Sequence, residues 1–169
     1  MIVIVWPIYW IGLLPIILIE WLVMKKELKE QFSQKLFGKV FFANFISTLL
    51  GIPVVWFLMA LIQFLIPGAG GFTELSGVWP YVFGVTVQAP WLLLYESQFY
   101  WMIPVAFIVL LVPFFFASYW IEAFVILRMW RDEKNDDQIK NAVKKANMFS
   151  YAFLLIAALI TLVVQIIMH

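Results

Sequence analysis

The stretch KKELKEQFSQKLFGK, residues 25–39, carries Lys25, Lys26, Lys29, Lys35 and Lys39 between two long apolar runs. A second stretch, RMWRDEKNDDQIKNAVKK at residues 128–145, carries Arg128, Arg131, Lys134, Lys140, Lys144 and Lys145. Together they hold all 11 Lys and Arg residues, and outside them the only charged side chains are Glu20, Glu74, Glu96 and Glu122. Charged groups are costly in hydrocarbon, and Lys and Arg are retained on the cytoplasmic side of short loops. The pattern predicts an all-α integral membrane protein in which the two basic windows are cytoplasmic turns and both termini are extracytoplasmic.

Working outward from the windows, apolar segments run over about residues 2–24, 40–66, 100–127 and 147–168. Each reaches the roughly 20 residues that cross a hydrocarbon core. The expected fold is therefore four transmembrane helices arranged as two similar helical hairpins, about 1–66 and 100–169, in a single membrane domain. With 65% hydrophobic and 12% charged residues, and a mean hydropathy of +0.99, the chain is too apolar for a soluble domain. The expected location is a membrane of the bacterial inner-membrane type. No basic region precedes the first apolar run and no small-residue cleavage signature precedes Lys25, so the first helix is expected to be retained rather than cleaved.

Residues 67–99 form the expected extracytoplasmic connection. They open with Pro67-Gly68-Ala69-Gly70-Gly71, a turn signal, and their apolar runs are too interrupted to span. A loop lying along the outer interface is expected. Trp6, Tyr9, Trp10, Tyr100 and Trp101 fit an outer aromatic belt, and Trp21, Tyr119, Trp120, Trp130 and Tyr151 an inner one. Pro7, Pro15, Pro53, Pro104 and Pro113 fall within the spans and are potential kinks. Asp136 or Asp137 is expected to cap a helix that runs through Ile139, Val143 and Ala146 into the last span.

Inside the spans one pattern recurs. Glu20 is followed 24 residues later by Asn44, within Ala43-Asn44-Phe45-Ile46-Ser47, and Glu122 is followed 25 residues later by Asn147, within Ala146-Asn147-Met148-Phe149-Ser150. Each Glu and Asn pair brackets a basic window, and Gln63 and Gln165 extend the match. Two hairpins of the same orientation would form a parallel repeat about an axis along the membrane normal. Glu20 precedes Lys25 and Asn44 follows Lys39 by five residues each, which places both roughly 7 to 8 Å inside the basic anchors at the helical rise. A carboxyl group and a carboxamide at one depth can satisfy each other across a hairpin. Asn44, Ser47, Thr48 and Gly51 share one helix face, as do Ser118 and Glu122, and Asn147 and Ser150 continue toward Ala157, Ala158, Thr161 and Gln165. These polar stripes are expected to face the bundle interior.

The candidate site is accordingly Glu20, Asn44, Ser47, Glu122, Asn147 and Ser150, a carboxyl pair lined by amides and hydroxyls that would bind a proton or a cation. The same parts serve equally well as a polar staple between hairpins. Other chemistries lack their residues. There is no cysteine, and the single histidine is His169, so thiolate chemistry and a His-ligated haem or multi-His metal site are excluded. Ser47 and Ser150 have no histidine base, and the cluster at Gly68 to Gly71 is followed by no phosphate-binding Lys. No cofactor is expected, nucleic acid is not an expected partner, and an enzyme is the least favoured class.

Two functions remain. One is an integral subunit or assembly partner of a larger membrane complex, docking through its aromatic loop and small-residue faces onto other membrane subunits. The other is a proton- or cation-linked transporter or channel component, expected as a homo-oligomer because four spans enclose little pathway. The sequence leans toward the first, since its polar residues do not line a route through the full membrane thickness.

Overall fold

Apolar runs of this length satisfy their backbone groups internally only as helix, and helix is what the computed structural model shows. It describes residues 2–29, 34–65, 77–88, 100–130 and 135–168, with side chains described from Gly12 onward. The helices are α1 (Ile2–Glu27), α2 (Gln34–Leu65), α3 (Trp79–Val85), α4 (Met102–Met129) and α5 (Asp136–Met168), and no strand occurs among the described residues. Three of them, α2, α4 and α5, are long and apolar enough to cross a membrane. The side chains of Trp6, Pro7, Tyr9 and Trp10, the turn from Pro67 to Gly71, and His169 lie outside the described residues.

Helix α1 stops where Lys29 adopts a left-handed φ of 52°, a position at which glycine is the usual solution. Helix α5 begins well before the apolar run it serves. Its cap is Asn135 rather than Asp136 or Asp137, because the Asn135 carboxamide oxygen accepts from the Asp137 amide at 2.9 Å. The two aspartates then occupy the first turn, where they favourably meet the positive end of the helix dipole. Helices α2 and α4 continue through Pro53 and Pro113. Between α2 and α4, Gly77 turns the chain at a φ of 74° and Pro80 opens the short helix α3, a position where the missing amide hydrogen costs nothing.

The chain divides into two compact units, Met1–Gly51 with Phe115–Ala152, and Ile52–Phe114 with Phe153–His169. The first unit has a continuous core. Leu13, Ile17 and Met24 of α1 repeat at helical spacing, as do Leu36, Val40 and Ala43 of α2, and Ile139, Val143 and Ala146 of α5, while α4 adds Ala123 and Ile126. Small residues recur among the most buried positions: Ala43, Ala142 and Ala146 are each at most 1% exposed. Trp130 caps the same core and carries the Lys39 ammonium 4.3 Å from its ring centroid. Trp130 is thus a buried residue of this core. Trp120, by contrast, is exposed. A further contact joins the two basic windows, an ion pair of 2.6 Å between Lys145 and Glu27.

In the second unit Val85 of α3 packs with Met102 and Ala106 of α4, and Tyr81 lies against Trp101 at 6.1 Å between ring centroids. Helix α3 is therefore fastened to the start of α4. Beyond Ser150, Ala158 is the only buried residue of α5 among those described.

Candidate functional site

The core stripes of the first unit carry polar residues at the positions where apolar ones would otherwise stand. Glu20 falls between Ile17 and Met24 on α1, and Glu122 between Ser118 and Ile126 on α4. Asn44 and Ser47 follow Val40 and Ala43 on α2, and Asn147 and Ser150 follow Val143 and Ala146 on α5. All are buried, Asn147 and Ser150 completely. The same helical spacing that builds the core thus turns the polar groups inward onto one another.

Their hydrogen bonds follow one rule applied twice. Asn44 donates through Nδ2 to Glu20 Oε2 at 2.6 Å, and Asn147 donates through Nδ2 to Glu122 Oε2 at 2.7 Å. The serines cross over: Ser47 donates to Glu122 Oε1 at 2.8 Å and Ser150 to Glu20 Oε1 at 2.6 Å. Every carboxyl oxygen therefore accepts from one side chain, and each Glu is held by a residue from either half of the chain. The two carboxyl groups are also near enough to interact directly.

Backbone contacts hold these donors in place. The second Nδ2 hydrogen of Asn44 goes to the Val40 carbonyl at 3.1 Å, and that of Asn147 to the Val143 carbonyl at 3.2 Å. Both hydrogens of each amide nitrogen are committed, which sets the orientation of the carboxamide. Each serine oxygen also lies 3.1 Å from a carbonyl three residues back, Ser47 from Asn44 and Ser150 from Asn147. The pattern departs from balance at one atom. Asn147 Oδ1 is buried with no hydrogen-bond partner among the described residues.

Nearby, Ser118 and Tyr151 share a hydrogen bond of 2.9 Å, and the Tyr151 ring meets Phe115 edge to face at 5.4 Å. Tyr151 is half-buried and tied to α4 by this bond. No Lys or Arg among the described residues forms an ion pair with either carboxyl group. Nor do the described residues contain a group of three or more His, Cys, Asp or Glu side chains that could hold a metal ion.

The structure brings together every candidate residue named from the sequence. The pairing of each Glu with the Asn that follows it is the contact the sequence predicts, and the serine crossover adds to it. Its signal lay in the spacing: a Ser three residues after each Asn can reach its own backbone and the opposite helix at once. Of the wider stripes, Gly51 is buried and Thr48 half-buried, but Ala157 and Thr161 face outward. Thr161 satisfies its hydroxyl on the Ala157 carbonyl at 2.9 Å, so it needs no interior partner. No family model, no curated protein and no solved structure matches the chain.

Proposed function

We propose that this chain is a four-span membrane protein, with α1 as the first span, and that its Glu20 and Glu122 carboxyl groups form a proton- or cation-binding centre in a proton- or cation-linked transport component. The observation that carries the reading is a pair of neighbouring buried carboxyl groups with four side-chain donors and no basic partner. Two ionised carboxylates side by side in a low-dielectric interior repel strongly, and neutral donors offset only part of that cost. A bound proton or cation supplies the missing compensation. The proposed topology places the centre toward the cytoplasmic side, beneath the two basic windows, and the matched Glu, Asn and Ser positions support two hairpins related as a parallel repeat.

Flux through reconstituted vesicles tests this. A pH or cation gradient should be dissipated by the wild-type protein and not by the Glu20→Gln or Glu122→Gln variants. Equal flux in both variants removes the carboxyl groups from the mechanism.

A second reading, an integral subunit or assembly partner of a larger membrane complex, is supported by a separate observation. From Phe153 to Met168, α5 presents apolar side chains almost all round, including Phe153, Ile156, Ile160 and Ile167. Lipid alone satisfies such a surface, and so would the helices of a neighbouring subunit. Purification in mild detergent separates the cases: stoichiometric companions support the subunit reading, and a homo-oligomer without them opposes it.

A further inference from the structure

We infer that the ligand of the Glu20 and Glu122 pair is the proton, that it binds at Oε1 of each Glu, and that Ser150 and Ser47 are the hydroxyl switches that accept it. This rests on the reading of the pair as a proton- or cation-binding centre and decides between its two ligands.

The two oxygens of each carboxyl group face different kinds of donor. At Oε2 of both residues the neighbour is an amide nitrogen, Asn44 or Asn147, whose hydrogens are divided between that oxygen and a backbone carbonyl. An N–H donor has no lone pair to offer, so the amide cannot accept a proton placed on the oxygen it faces. At Oε1 the neighbour is a serine hydroxyl, which can donate or accept. Each hydroxyl has a single hydrogen but two acceptors within reach: Ser150 lies 2.6 Å from Glu20 Oε1 and 3.1 Å from the Asn147 carbonyl, and Ser47 lies 2.8 Å from Glu122 Oε1 and 3.1 Å from the Asn44 carbonyl.

The exchange then balances without loss of a hydrogen bond. With Glu20 ionised, Ser150 donates to Oε1. When a proton adds to Oε1, the new O–H donates to Ser150 Oγ, and the Ser150 hydrogen turns to the Asn147 carbonyl. Asn44 keeps its bond to Oε2 throughout. Glu122, Ser47, the Asn44 carbonyl and Asn147 repeat the cycle in the other half. The Tyr151 phenol on α5 is a further titratable group of this region, and it is engaged with Ser118; α2 brings only the neutral Asn44 and Ser47.

A metal cation fits the same groups poorly. It would need several oxygen lone pairs turned toward it, whereas both amides turn nitrogen to the carboxyl groups. Swinging either carboxamide to offer its oxygen would break both of its Nδ2 bonds.

Infrared difference spectroscopy of the full-length protein in lipid nanodiscs, titrated with pH, tests the assignment. The carbonyl stretch of a protonated carboxyl group rises in frequency when its O–H loses an acceptor. Measured on the Glu122→Gln background, the Glu20 band should shift upward with Ser150→Ala and stay in place with Ser47→Ala. On the Glu20→Gln background the roles should reverse for Glu122. Ser150→Cys and Ser47→Cys, which keep the shape but accept weakly, should give intermediate shifts, and the helical amide band in each spectrum reports that the variant is folded. Sodium, potassium, magnesium or calcium at constant pH should leave the bands unchanged. Bands that ignore both serine substitutions overturn the switch assignment. Bands abolished by one of those cations overturn the choice of the proton. If the wild-type protein shows no protonated carboxyl band at any pH, the reading of the pair as a proton site itself falls.

Discussion

Ser150 on α5 donates to Glu20 on α1 at 2.6 Å, across 130 positions of sequence, while its counterpart Ser47 donates to Glu122 rather than to the nearer-in-sequence Glu20. At the two carboxyl groups, the donors from the other half of the chain are thus serines, and those from the same half are asparagines. A double-mutant cycle should reveal this division. Glu20→Ala with Ser150→Ala should show a coupling of about 0.5–2 kcal/mol, in the range of interhelical hydrogen bonds in membrane proteins and of contacting pairs generally. Glu20→Ala with Ser47→Ala should show a smaller coupling, because no direct bond links them. Reversible unfolding in mixed micelles gives both values.

Replacing each Glu separates the loss of a charge from the loss of an acceptor. Glutamine reproduces the protonated form: its Oε1 accepts from Asn, its Nε2 donates to Ser, and the serine hydrogen turns to the backbone. Glu20→Gln and Glu122→Gln should therefore stay within about 1 kcal/mol of the wild type. Glu20→Ala and Glu122→Ala leave a buried Asn and Ser without their acceptor and should cost about 2–4 kcal/mol, the sum of an unsatisfied polar pair and a cavity. Mixed-micelle unfolding midpoints decide the matter, and equal losses for Gln and Ala would contradict the bonding scheme.

The buried positions Ala43 and Ala146 should be intolerant of bulk. Both are at most 1% exposed, so Ala43→Leu or Ala146→Leu should cost about 1–3 kcal/mol by overpacking. Ala152→Leu, at an exposed position two residues past Ser150, should be nearly neutral. Gly51→Ala should do the opposite of Ala43→Leu: an added Cβ there meets nothing within 4 Å, and replacing a helix-interior glycine should stabilise by about 0.5–1 kcal/mol. The readout is thermal loss of helicity in detergent.

The ion pair between Lys145 and Glu27 is short, but their side chains are 53% and 31% exposed. Water and salt therefore discount it, and Lys145→Ala should cost less than about 1 kcal/mol. Raising the salt concentration should erase the difference from the wild type in the same unfolding assay.

Helical class and the inward-facing carboxyl pair were legible in the sequence because each rests on a local regularity. Apolar runs of span length leave the backbone little choice but helix, and the spacing of Glu20, Asn44, Glu122 and Asn147 around the basic windows sets them at matching depths. What the sequence hid were choices between partners of similar reach. Ser47 could approach either Glu, and only the packing of α2 against α4 selects Glu122. The contacts of Trp130 with Lys39 and of Tyr151 with Ser118 are of the same kind, since neither partner is marked by spacing along the chain. Asn135 outcompetes two aspartates as the cap of α5 through a contact that depends on the exact start of the helix.

The central claim is that Glu20 and Glu122 together hold a proton inside the membrane. Its most direct measurement is the pH-dependent infrared spectrum of the wild-type protein in lipid nanodiscs beside that of the Glu20→Gln, Glu122→Gln double variant. The account predicts a protonated-carboxyl band in the wild type that titrates with pH and is missing from the double variant. Identical spectra, with no such band lost on replacing both residues, would contradict it.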